Sequence, residues 1–142
     1  MRNLLKSALL ITALSLAFTT ANAQTGKIIF ENTSYDFGSN ISEKSENITH
    51  RFVFTNQGDV PVTIQDVSSS CDCTTLAWTK EPVASGEQGF VDVIYNPANR
   101  SGNFTENIEV KSDGDPQTIS LTISGAVVNE PEHEETPDNA EN

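Results

Sequence analysis

Ile48-Thr49-His50-Arg51-Phe52-Val53-Phe54-Thr55-Asn56-Gln57-Gly58-Asp59 is an alternation that runs into a turn. Ile48, His50, Phe52 and Phe54 share one side, and Thr49, Arg51, Val53 and Thr55 share the other. A period of two marks a strand with one buried face, and the Asn-x-Gly-Asp cluster that follows is turn chemistry. Outward from this stretch the same period recurs. Upstream lie a strand at Lys27–Glu31 and a short second piece at Tyr35-Asp36-Phe37-Gly38. Downstream, Val60 to Val67 reads as the next strand, and Gly89 to Asn96 carries Val91, Val93 and Tyr95 on one face. Phe104, Ile108 and Val110 then alternate with Thr105, Asn107, Glu109 and Lys111. Asp113-Gly114-Asp115-Pro116 turns the chain, and Ile119, Leu121, Ile123 and Val127 close the series.

No segment carries a helical stripe. About seven strands in roughly 100 residues, cut by Asn, Asp, Gly and Pro clusters, predict an all-β fold. One buried face per strand implies antiparallel sheets, so the expected architecture is an immunoglobulin-like β-sandwich.

The ends of the 142-residue chain do not share this pattern. Arg2 and Lys6, the apolar run from Ser7 to Phe18 and then Ala21-Asn22-Ala23 have the three parts of a cleaved export signal over residues 1–23. No cysteine stands near the cleavage site, so the expected product is secreted or periplasmic and not a lipoprotein. The apolar run is too short to span a bilayer. At the other end, residues 129–142 hold six acids and two prolines with no basic or large apolar residue, the composition of a disordered tail. The folding unit is then residues 24–128. The formal charge of −12 becomes −14 once Arg2 and Lys6 are removed. This excludes a nucleic-acid binder, which needs a basic patch, and the length excludes a multidomain enzyme. Sequons at Asn32, Asn40, Asn47 and Asn103 arise readily in a chain so rich in Asn, Ser and Thr.

Chemistry concentrates at Cys71-Asp72-Cys73. Two residues apart on an extended strand are separated by roughly 6.6 Å, at the outer edge of disulfide geometry, so a bridge here requires a turn. Ser68-Ser69-Ser70 before it and Thr74-Thr75 after it suit one. Closing so small a loop stabilises by about 1–2 kcal/mol at most. The pair is therefore either a structural bridge at a sandwich corner or a thiol redox site. A soft ion is the third reading: two thiolates suffice for copper(I), with Asp72 beside them, whereas tetrahedral zinc wants four ligands. His133 lies in the tail, and His50 shares a strand face with Phe52 and Phe54, where it should be packed at the core edge. No cofactor is expected. Trp78, in Leu76-Ala77-Trp78-Thr79-Lys80-Glu81-Pro82, fills the core as a tryptophan often does in such sandwiches or, read as part of a connecting segment, covers the cysteine turn or, with Asp72, offers a binding surface. There is no G-x-S-x-G nucleophile elbow, and the acids read as a solvated surface.

The runs Tyr35-Asp36-Phe37-Gly38, His50 to Gly58 and Ser70-Cys71-Asp72-Cys73-Thr74-Thr75 resemble domain-of-unknown-function family 1573. Ser85-Gly86-Glu87, Asn96-Pro97 with Gly102-Asn103-Phe104, and Gly125 agree with it over nearly all of Phe30 to Val128. The resemblance implies an exported bacterial sandwich akin to ASH/MSP domains and no established activity. That family commonly has glycine between the cysteines. If the position needs a positive φ, Asp72 strains the turn.

Three functions follow as expectations. The first is a non-catalytic binding or assembly module that takes a protein or peptide through an edge strand or loop. The second is a thiol redox or metal-handling protein centred on Cys71 and Cys73. The third is a structural envelope component.

Overall fold

A computed structural model describes residues 24–129. The expected export signal at 1–23, and the tail beyond Asn129, lie outside the described residues. The strands are β1 (Ile28–Phe30), β2 (Ser34–Asp36), β3 (Ile41–Ser42), β4 (Ile48–Asn56), β5 (Ile64–Ser69), β6 (Thr74–Trp78), β7 (Gln88–Tyr95), β8 (Gly102–Ser112) and β9 (Thr118–Val128). They form two layers, one ordered β1-β4-β7-β6 and the other β2-β9-β8-β5, with β3 also pairing β9. This is the expected sandwich, with nine strands among the described residues in place of the expected seven or so. Two pairings differ from the antiparallel rule: β2 and β3 run parallel to β9, through Tyr35 opposite Ile123 and Ile41 opposite Val127. Both strands come from one short crossing of the sandwich edge, so neither had the length to show a period.

The founding alternation is borne out position by position. β4 pairs with β7 from Ile48 opposite Tyr95 to Thr55 opposite Gln88. Phe52 and Phe54 are buried, together with Val91, Val93 and Tyr95 from β7 and Ile108, Val110, Leu121 and Ile123 from the facing sheet. These interdigitating aliphatic and aromatic side chains are the hydrophobic core of a two-layer fold.

The segment Val60 to Val67 is not one strand. β5 begins only at Ile64 and shifts register between Ile64 and Asp66. Val62 instead bridges Val83. Asn56 explains the break. Its amide accepts from the backbone N–H of Lys27 at 3.0 Å and of Gly58 at 2.9 Å. It donates to the carbonyls of Val60 at 2.8 Å and Val83 at 2.9 Å. A fully buried amide thus holds four backbone groups, from the segment before β1, the turn after β4 and the Val83 bridge, in place of a continuing ladder.

Leu76 to Trp78, read as part of a connecting segment, belong instead to the edge strand β6. Thr79 N–H bonds Phe90 O and Asn96 N–H bonds Cys73 O. Given the register of Thr74 opposite Tyr95, odd-numbered residues make the hydrogen bonds to β7. The backbone groups of Thr74, Leu76 and Trp78 therefore point to the open side.

Candidate functional site

β5 leaves one sheet at Ser69 and β6 enters the other at Thr74, so Cys71-Asp72-Cys73 is the corner between the layers. Ser69 Oγ accepts from Cys71 N–H at 3.3 Å, and Cys71 O accepts from Thr74 N–H at 3.4 Å. This turn contracts the two Cα atoms to 5.2 Å, and the sulfurs are bonded as a disulfide. Asp72 does not strain it: among the described non-glycine residues only Asn99 has a positive φ. Asp72 is exposed at the tip.

The two sulfurs have different surroundings. Cys71 is half-buried, and its Sγ faces the Cys73 N–H at 3.2 Å. Cys73 is buried, and its Sγ lies 2.7 Å from Oε1 of Glu106. A bridged sulfur has no proton to donate, so in this state the pair is a contact; a Cys73 thiol would donate along the same line. Thr74 Oγ1 donates to the other carboxyl oxygen at 2.6 Å, with Ser69 Oγ at 3.4 Å. Glu106 is only 6% exposed. It stands on the inward face of β8 in series with Ile108 and Val110. Burial pushes the nearby Tyr95 phenol above its ordinary range; Arg100 opposes the rise and Glu106 adds to it.

Glu106 is the residue that the motif reading missed. The signal was present: a charged residue at the inward parity of an otherwise apolar strand. Cys71, Cys73 and Glu106 have donor atoms within 4.8 Å of one another. The third donor is thus Glu106 and not the exposed Asp72. While the sulfurs are bonded to each other they offer no thiolates to an ion.

Trp78 does not cover the cysteine turn. β6 is extended, so Trp78 stands about 13 Å from Thr74, at the other end of the strand. It packs against the core edge, with the Lys80 ammonium 2.9 Å from its ring centre. Its Nε1 is a buried donor without a partner among the described residues.

His50 is at the core edge as expected. Its ring stacks on Tyr35 at 3.6 Å and meets Phe52 edge-on at 4.6 Å. Burial lowers its pKa below the ordinary 6.5. The fold therefore prefers the neutral ring, while the unfolded chain takes up the proton first as pH falls. His50 should contribute full stability above pH 6.5 and lose it as pH drops below that value toward the lowered pKa. Urea midpoints of wild type and His50→Gln across this range should diverge, wild type having the steeper fall. Parallel curves would show that the imidazole is not coupled to folding.

A family model described as "Protein of unknown function (DUF1573)" matches residues 28–127. No curated protein matches the chain. Among solved structures, a protein of unknown function from Porphyromonas gingivalis W83 superposes with a TM-score of 0.62 at 14% identity, over 73% of this chain and 48% of that one. The chain thus spans about half the length of that relative. The ASH/PapD-like domain 7 of human CEP192 gives 0.60 at 13% identity, over 75% of this chain and 89% of that one. The Escherichia coli chaperone DraB gives 0.51 at 12% identity, over 75% and 57%. At these identities the likeness is one of fold. Among the described residues no helix is long and apolar enough to cross a membrane.

Proposed function

Since the chain belongs to the DUF1573 family, whose function is unknown, we propose a role from its own surface: a secreted or periplasmic, non-catalytic immunoglobulin-like module that binds a protein or peptide as an added strand along β6. The carrying observation is the edge itself. β6 has one sheet neighbour, β7. The backbone N–H and C=O groups of Leu76 and Trp78 face outward, beside side chains that are only half-buried. An extended segment laid there would satisfy those groups and cover Leu76 and Trp78, supplying main-chain affinity and side-chain selectivity together. The fold shared with a protein named as a chaperone supports an assembly role without naming the partner.

Leu76→Pro tests this directly. Proline removes an N–H that β7 does not use, so the sheet should survive while strand addition is blocked. Peptides selected from a displayed library on the purified wild-type domain should bind at least tenfold more weakly to the variant, a loss of about 1.4 kcal/mol or more. Failure to select any peptide, or equal binding by the variant, would remove the β6 reading.

A further inference from the structure

We propose that Cys71, Cys73 and Glu106 form a thiol–disulfide exchange site, in which Cys71 is the sulfur that bonds to an incoming thiol and Glu106 carries the proton for Cys73. This goes beyond strand binding and depends on different residues.

The asymmetry of the corner assigns the roles. Cys71 is the half-buried residue of the pair, and its Sγ faces the Cys73 N–H at 3.2 Å, a donor that favours a thiolate. Cys73 Sγ is buried against Glu106 Oε1 at 2.7 Å, a neighbour that disfavours a thiolate and accepts from a thiol. The bonds to Ser69 and Thr74 occupy one carboxyl oxygen and leave the other directed at the sulfur. Placing that group inside an apolar layer is costly.

The step balances with one co-reactant, a thiol R–SH. Its proton passes by way of solvent to the Glu106 carboxylate, and the resulting thiolate attacks Cys71 Sγ in line with the bridge. The R–S to Cys71 bond forms as the Cys71–Cys73 bond breaks. The electron pair of the broken bond goes to Cys73 Sγ, which then takes the proton from Glu106. The products are a mixed disulfide on Cys71 and a Cys73 thiol donating to a carboxylate that is ionised again. A second thiol of the same partner can attack the mixed disulfide, leaving the partner oxidised and both cysteines reduced. The reverse sequence returns the bridge, with Glu106 as the base.

The probe is reduced glutathione in excess over the native protein, followed by an acid quench, maleimide labelling and fragment-ion mass spectrometry. The expected adduct is glutathione on Cys71 with maleimide on Cys73. Glu106→Gln, shown folded by circular dichroism, should react at least tenfold more slowly than wild type. A bridge that glutathione opens only in denaturant overturns the proposal. So does glutathione on Cys73, or a folded Glu106→Gln variant reacting at the wild-type rate. Should that variant not fold, the position of the adduct on the wild-type protein decides.

Discussion

Asn56→Leu should destabilise the domain by about 4 kcal/mol, the sum of a few buried backbone groups left without partners at about 1–3 kcal/mol each. The asparagine amide is fully buried and makes hydrogen bonds to Lys27, Gly58, Val60 and Val83. Leucine has nearly the same volume and no polar atom, so it leaves the N–H groups of Lys27 and Gly58 and the C=O of Val60 without this partner, while the Val83 C=O keeps the Val62 N–H at 3.0 Å. Edge groups that regain water will moderate the loss. The melting temperature should fall by roughly 15 °C for a domain of this size. Asn56→Asp should cost nearly as much, since it keeps the acceptor, loses both donors and adds a buried charge. Urea denaturation measures both. A loss below about 1 kcal/mol for Asn56→Leu would show that the four contacts are incidental to stability.

Phe54→Ala should cost a comparable amount, about 4 kcal/mol, by lost burial and the cavity left behind. The ring is fully buried, tilted against Phe30 at 5.4 Å, and covers the backbone of Gly89 on the neighbouring strand. A methyl group at Gly89 would occupy the space of that ring. Gly89→Ala alone should therefore cost about 2 kcal/mol by overpacking, and nearly nothing once Phe54 is alanine. The resulting coupling, measured by a double-mutant cycle, distinguishes a glycine retained for the ring from one retained for backbone freedom. Additive losses would refute the pairing.

What could be read from the chain depended on the length of each alternating run. β4, with nine residues, declared its buried face, its partner chemistry and the turn after it. β2 and β3, with three and two residues, have no period to read. Val60 to Val67 looked like a strand because apolar spacing does not record hydrogen bonds. The Asn56 amide, four residues upstream, takes the carbonyl of Val60 for itself. At the corner, the sequence pattern located the cysteines but proposed the wrong carboxylate. Asp72 is adjacent in the chain and exposed, whereas Glu106 arrives through the β5–β8 pairing, a contact that spacing cannot express. An acid at an inward position of β8 was the available clue.

The position of β9 has a consequence for the order in which the molecule can assemble. β9 is the partner of β2, β3 and β8, yet among the described strands it comes last in chain order. A chain emerging from its N terminus can dock β1 on β4 and extend to β7 and β6 early. β2 and β3 have no sheet to join until Thr118–Val128 has appeared. β2, β3 and one side of β8 thus wait on the stretch that carries β9, and a chain cut before Thr118 leaves β8 unpaired along its whole length on that side. Loss of β9 opens the β8 edge and leaves β2 and β3 without a partner, which makes such fragments aggregation-prone.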